Sequence, residues 1–340
     1  MERIKPCLYD FHVHIGERIG GIDLVEDWKA LNRIASRKGI AGIGAFVTEE
    51  QGILLKDKYL RMKQEAATHF KGYVHWHLTP VQSTLEDILP LLLEDCDLKF
   101  YSTYESSGLY SSYNRIATWI NDLSSISSLL EKGLPRILIH CEDNDIIKSA
   151  SERNPFRAPY HHCLRRPEKA ENAAVEKVLS ISLQYNYPIH IVHVSSPISA
   201  ELIIQARKEC SNPNQITCET APHYLIYNEN RLKHKHAHRY ICSPPYRSEQ
   251  SRGLLFEHLQ DAVFNILASD HCHFSHTDKD RFQHDLAQVP CGIPGLETLY
   301  SSMHYHFVEK KRLSEDALLE LCSTNPARLM KLSKPTLEAQ

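Results

Sequence analysis

The sequence lacks several of the signatures that would assign it quickly. Its ten cysteines (7, 96, 141, 163, 210, 218, 242, 272, 291 and 322) include no C-x-x-C pair, which excludes a zinc ribbon or a thioredoxin-type redox motif. No run of 18 apolar residues occurs, so no segment is expected to span a bilayer. Met1 to Gly21 contains no apolar core of the kind a signal peptide needs, so none is expected. Neither sign of charge dominates. The 39 Lys and Arg against 42 Asp and Glu leave a net −3, so no basic field invites nucleic acid and no polybasic run invites a membrane. No G-x-G-x-x-G follows an apolar run and no G-x-x-x-x-G-K-[ST] exists; Gly42-Ile43-Gly44 alone is too weak to mark a phosphate loop. Internal repeats, low-complexity tracts and Pro/Gly-rich linkers are also missing, so a single domain over 1–340 is expected.

What is present is an ordinary globular composition, 42% hydrophobic and 24% charged over 340 residues, which excludes a disordered or fibrous chain. Scattered thiols in a chain long enough for a full core fit a reducing compartment, so a cytoplasmic location is expected. The 21 histidines are the unusual feature.

Eight short apolar, β-rich runs recur along the chain: Leu8–Ile15, Ile40–Val47, Tyr73–Leu78, Leu98–Tyr101, Ile137–Cys141, Ile189–Val194, Gln215–Thr220 and Asn265–Ser269. Helical patterns separate them. Ser196-Pro197 supplies a cap and a first-turn proline, followed by the stripe Ala200, Leu202, Ile203 and Ala206. Ala174, Val178, Leu179 and Ile181 mark another helical face. The tail from Leu313 to Met330 reads as helices, with Asn325 as a cap and Pro326 at the first position. Eight strands alternating with helices predict an α/β fold, a (β/α)₈ TIM barrel.

In such a barrel the active site lies at the carboxyl ends of the strands. The first run ends in Asp10-Phe11-His12-Val13-His14, and two residues are one side-chain period, so His12 and His14 share a face. Adjacent neutral imidazoles suit a borderline divalent cation. His75-Trp76-His77 repeats the spacing, but no other part of the sequence supports it, and it reads as a structural pair. Lys99, between apolar neighbours, reads by itself as a snorkelling or ion-paired side chain. His140, His193 and Asp270 close further runs. One buried histidine is ordinarily structural. Four histidines, a lysine and an aspartate at the ends of strands 1, 4, 5, 6 and 8 are not explained that way, and together they predict a metal site. The loop His234-Lys235-His236-Ala237-His238 reads as solvated.

The order H-x-H, Lys, His, His, Asp resembles the amidohydrolase superfamily, in the cyclic-amidase branch of dihydroorotases, dihydropyrimidinases (hydantoinases) and allantoinases. The successive intervals of 41, 53 and 77 residues from Lys99 to His140, His193 and Asp270 are similar to that branch. So are the stretches His140-Cys141-Glu142-Asp143, His193-Val194-Ser195-Ser196, Glu219-Thr220-Ala221-Pro222-His223-Tyr224, Cys242-Ser243-Pro244-Pro245-Tyr246-Arg247 and Gly292-Ile293-Pro294-Gly295. The resemblance runs from about residue 8 to 330. It implies a binuclear centre, with zinc as the usual metal. One ion would take His12, His14 and Asp270, the other His140 and His193, and Lys99, N-carboxylated by carbon dioxide, would bridge both. A shared hydroxide would attack the ring carbonyl of a small cyclic amide, with Asp270 as base and then acid. Tyr104, five residues after the lysine, would stabilise the oxyanion, and backbone groups at Ser243 and Cys291 would hold the amide edge. A homo-oligomer is allowed; nucleic-acid and membrane partners are not expected.

The sequence departs from the branch at two points. Where dihydroorotases carry an arginine for the substrate carboxylate, His14-Ile15-Gly16-Glu17 has Gly16, with Arg18 two residues on. Losing a bidentate clamp weakens binding of an anionic ring, which favours a neutral one such as hydantoin or dihydrouracil. His193-Val194-Ser195-Ser196-Pro197 resembles allantoinases and His140-Cys141-Glu142-Asp143-Asn144 resembles bacterial dihydroorotases, so those activities stay as alternatives. A catalytically silent scaffold like the dihydropyrimidinase-related proteins is the non-enzyme alternative; here all six ligand positions are filled. The second departure is architectural: no accessory β-sandwich, built from both chain ends in longer members, is expected.

Overall fold

The computed structural model describes residues 7–332. Residues 1–6 and 333–340 lie outside it, and with them part of the amino-terminal reading and of the single-domain expectation. Eight strands form one parallel sheet in sequential order: β1 Leu8–Val13, β2 Ile40–Thr48, β3 Tyr73–Thr79, β4 Asp97–Tyr101, β5 Ile137–His140, β6 Ile189–Ile191, β7 Ile216–Thr220 and β8 Ile266–Leu267. A parallel bridge between Val13 and His271, with His14 N donating to His271 O at 2.8 Å, brings the last strand back to the first. The result is the expected (β/α)₈ barrel, nearly closed. The only other sheet among the described residues is a two-stranded ribbon, Arg18–Ile19 with Ile22–Asp23. No accessory sandwich occurs among them, and no helix there is long and apolar enough to cross a membrane.

Strand side chains alternate between two apolar layers, except in β1, whose irregular register between Asp10 and Val13 puts Phe11 and Val13 in different layers. Val13, Ile43, Val47, Leu98, Ile137 and Ile189 face the helices, where Leu31, Ile116, Val178, Ile203 and Leu255 meet them. Tyr9, Phe11, Phe46, Leu138, Val192 and Ile266 fill the interior, joined by Ala327 and Met330 from the last helix. The capping expectation at Ser196 holds: its side chain accepts from Ser199 N, Pro197 opens the helix Pro197–Glu209, and Ala200, Ile203 and Ala206 are buried. Asn325 is not a cap. Glu315–Leu319, Glu320–Thr324 and Asn325–Leu329 run on without a break, Thr324 is already helical, and Asn325 Nδ2 donates to Asn265 O at 2.9 Å. The solvated-loop reading holds for His234 to His236, whereas Ala237 and His238 are buried, with His238 Nε2 2.7 Å from Asp280 Oδ1.

Two strands are shorter than the apolar runs imply. β6 stops at Ile191 and β8 at Leu267, because the chain swings to positive φ at His193 (38°) and Asp270 (50°). Close approach fixes one glycine. A Cβ on Gly44 would stand 2.2 Å from Phe11 O and 2.4 Å from His77 Nε2, so the missing side chain makes room for the imidazole. Gly44→Ala is expected to destabilise by about 1–3 kcal/mol or more through overpacking. Gly253→Ala, in the helix Glu249–Gln260 with nothing within 4 Å of its added carbon, is expected to stabilise by roughly 0.5–1 kcal/mol. Chemical denaturation of both variants checks the pair; equal effects would show that packing at Gly44 is not the constraint.

Candidate active site

The predicted ligands converge inside the barrel mouth. His12 and His14 project from β1 with ring centroids 5.5 Å apart, and His12 Nε2 lies 3.1 Å from Asp270 Oδ1. One donor atom from each of His12, His14 and Asp270 lies within 4.8 Å of the other two. The His193 ring is 5.4 Å from His12 and 4.6 Å from His140, so the four imidazoles form one continuous cluster. Lys99 joins it from β4. Its ammonium stands 5.2 Å from the Phe46 ring and 5.1 Å from that of Tyr101, buried and without a hydrogen-bond partner. The snorkelling or ion-paired reading of Lys99 does not hold: the strand carries the side chain into the barrel, where Glu219 and Asp270 are near enough to act on its charge but neither hydrogen-bonds it.

Each of three imidazoles is braced by a buried carboxylate. Glu219 of β7 binds His12 Nδ1 in a short hydrogen bond, lies 3.1 Å from His190 Nε2 and accepts from His193 N at 3.2 Å. Glu17 lies 3.3 Å from His14 Nδ1 and accepts from Thr48 N at 2.7 Å and Lys58 Nζ at 3.3 Å. Glu142 lies 2.7 Å from His140 Nε2 and accepts from Arg166 Nε at 3.1 Å. These carboxylates fix ring orientation and leave the other nitrogen of each ring to a ligand. The motif-by-motif reading assigned them no role. The signal was present: Glu219 sits inside the strand Ile216-Thr217-Cys218-Glu219, where a carboxylate needs a buried partner.

Electrostatics sort these groups. Burial lowers His14, His140 (to about 4) and His193, so they stay neutral with a free lone pair. Burial opposes charge on His12 too, but Glu219 and Asp270 outweigh it and raise the ring to about 9, marking the spot where positive charge is favoured. Asp270 is held below the usual carboxylate range by His12, against its burial. Burial brings Lys99 down to about 8. The test of fit for a metal centre is the set of buried atoms left without partners. Lys99 Nζ and His193 Nδ1 are both orphaned, and orphaned buried polar atoms are rare. With the neutral nitrogens and Asp270 they form a donor set suited to divalent cations.

Tyr104, His193 and Asp270 all have left-handed backbone, at φ 69°, 38° and 50°, conformations that cost roughly 1–3 kcal/mol each and gather at functional sites. The Tyr104 ring is 5.1 Å from His140 and lies under the Arg166 guanidinium at 4.9 Å. Burial pushes its phenol up, against Arg166, so it remains a donor; Ser243 and Cys291 both act on it. Ser243 is buried, follows Cys242 and precedes a cis bond to Pro244, and its Oγ is 3.4 Å from His162 Nε2. Cys291 is half-buried; Cys141 and Cys242 are buried. At Gly16, φ is +62° and a Cβ would stand 2.9 Å from Trp28 Nε1. Arg18 is exposed, donating to Gly21 O at 3.0 Å. A cavity of about 300 Å³ reaches Ser269, beside Asp270, but none of the six ligand positions lines it.

No protein-family model matches the chain. It is 26% identical over 351 residues to a D-phenylhydantoinase of Escherichia coli, covering 97% of this chain and 71% of that protein. It is 26% identical over 335 residues to a D-hydantoinase of Ralstonia pickettii, covering 96% and 71%. Among solved structures, a dihydropyrimidinase from Brevibacillus agri superposes with a TM-score of 0.87 at 20% identity, covering 99% of this chain and 73% of that one. A D-hydantoinase gives 0.86 at 22% identity, covering 96% and 71%. At these identities the structural likeness speaks to the barrel. The bracing role of Glu219 has a direct test. Glu219→Gln is expected to weaken divalent-metal binding about 10- to 100-fold, read by competition with a chromophoric chelator; unchanged affinity would remove that role.

Proposed function

We infer that this chain, which belongs to the cyclic-amidase branch of the amidohydrolase superfamily, is a metal-dependent hydrolase that opens the C–N bond of a cyclic amide ring. Within that activity we propose a neutral ring of the hydantoin or dihydrouracil type as substrate. The observation that carries the site assignment is the Lys99 amine, buried without a partner among four histidines and Asp270. In this reading His12, His14 and Asp270 would hold one divalent ion, zinc on the chemistry of the donors, and His140 and His193 a second, with Lys99 as an N-carboxylate supplying an anionic oxygen ligand. When bound, the ions supply a hydroxide nucleophile near neutral pH and polarise the ring carbonyl.

The remaining work belongs to the chain. A free Lys99 amine adds to carbon dioxide and loses a proton, exchanging a buried cation for an anionic oxygen ligand; its lowered pKa makes the neutral amine accessible. Asp270, kept ionised beside His12, accepts the proton of the attacking water. It delivers that proton to the ring nitrogen as the C–N bond breaks, so OH ends on the carbonyl carbon and H on the nitrogen. Tyr104, kept protonated, donates to the oxyanion, and backbone groups at Ser243 and Cys291 hold the amide edge. Gly16 leaves no place for a carboxylate clamp and Arg18 is committed to the surface ribbon, which argues against dihydroorotate. We take the unit at work to be a single domain whose residues 7–332 build the barrel, and the thiols suit a cytoplasmic setting.

Asp270→Asn is expected to lower kcat by about 10² to 10⁴, measured on hydantoin and dihydrouracil. In a panel that adds allantoin and dihydroorotate, the neutral rings are expected to be opened faster; turnover of dihydroorotate alone would overturn the substrate assignment. Metal-free chain is expected to take up labelled carbon dioxide faster as pH rises through about 8, where the Lys99 amine loses its proton. Lys99→Ala should abolish that uptake and the bound metal. Retained metal in this variant would sink the bridging role.

A further inference from the structure

The second H-x-H pair changes meaning once the strands are in place. His75 and His77 stand one side-chain period apart on β3, both buried, and β4 brings Asp97 beside them. One donor atom from each of the three lies within 4.8 Å of the other two. Asp97 Oδ2 is 2.9 Å from His75 Nε2, close to the 3.1 Å between Asp270 and His12 at the mouth. The same arrangement, an H-x-H pair and an aspartate from another strand, thus occurs twice in one barrel.

The surrounding hydrogen bonds are those of a ligand site rather than of a satisfied core pair. His77 Nε2 lies 3.0 Å from Phe11 O. A carbonyl only accepts, so the ring proton sits on Nε2 and Nδ1 presents a lone pair. That Nδ1 is buried and has no partner, and neither has His75 Nδ1. Asp97 Oδ1 is fixed by the Arg136 amide at 2.7 Å. A ring proton donated to a carbonyl, with the second nitrogen left bare, is the usual setting of a metal-ligating histidine, and His77 has it. Space has been reserved too, since Gly44 is held to hydrogen by the His77 ring. A cavity of about 220 Å³ lined by Leu134, Arg136 and Asn214 reaches Asp97. The Arg136 guanidinium is committed to Ile189 O, Asn214 O and Thr217 Oγ1, and Lys331 at the rim is paired with Asp95.

We propose that His75, His77 and Asp97 form a second divalent-cation site in the lower barrel, separate from the centre at the mouth and selective for a zinc-like ion. Two nitrogens and one carboxylate oxygen complete three positions of a tetrahedral shell, leaving the fourth to water. The test uses the full chain loaded with Zn²⁺ and desalted. Anomalous diffraction at the zinc edge is expected to show a peak enclosed by His75, His77 and Asp97, resolved from any peak at His12, His14 or Asp270. Elemental analysis of His77→Leu is expected to give one equivalent of zinc less than the intact chain, with the peaks at the mouth retained. No lower peak in the intact chain, or equal zinc in the variant, overturns the proposal. If His77→Leu fails to fold, the map of the intact chain decides alone. Because the two sites give separate peaks, failure here is distinguishable from failure of the metal centre at the mouth.

Discussion

Glu219 is the point on which the interior depends. A carboxylate inside a barrel costs several kcal/mol unless its oxygens are satisfied, and Glu219 meets that cost with His12, His190 and the His193 amide. Each partner does something further. His12 is turned so that Nε2 meets Asp270, His190 continues to Thr217 at 2.9 Å, and the His193 amide is held where the chain leaves the strand. Thr217 in turn receives Arg136, whose backbone amide holds Asp97. The polar column from mouth to lower barrel is therefore one connected network, and networks of this kind specify a single arrangement only when every member is satisfied.

That requirement explains where the barrel departs from regularity. An ideal strand would turn His193 to the face of Ile191, which packs in the outer layer, away from the cluster. The left-handed turns there and at Asp270 leave both groups at the mouth. They also shorten β6 and β8. Local backbone strain and lost ladder bonds are tolerated because the outer layer of apolar contacts holds the strands independently of the mouth.

How much of this the sequence reveals depends on the range of the physics involved. Strand existence and order follow from local apolar runs, and all eight appear where expected. The pairing of His12 with His14 follows from the two-residue period. Residues whose state is set by distant neighbours are another matter. Lys99 looks like a surface lysine from its flanks, and only closure of the barrel reveals that nothing solvates it. Asn325 has the composition of a cap, but the preceding residues already form helix, so the amide bonds to Asn265 instead. The His75 pair reads as structural because its third member, Asp97, lies 20 residues on and becomes a neighbour only through strand pairing. Shared position at the strand ends groups the four histidines, Lys99 and Asp270 from five strands, and the family resemblance adds the role each would take.

The same logic bears on substrate choice. Specificity at a polar site is set by what would be left buried and unpaired. An anionic ring needs a fixed cation where its carboxylate lies, and the position that would carry it, Gly16, is closed by both backbone and sterics: φ is positive and the Trp28 indole fills the space a side chain would need. Trp28 is itself anchored in the outer core beside Phe70 and Trp76. Relieving the clash would mean moving a buried indole, so the proposed preference for a neutral ring rests on the packing of the barrel wall and not on one exchangeable residue at its mouth.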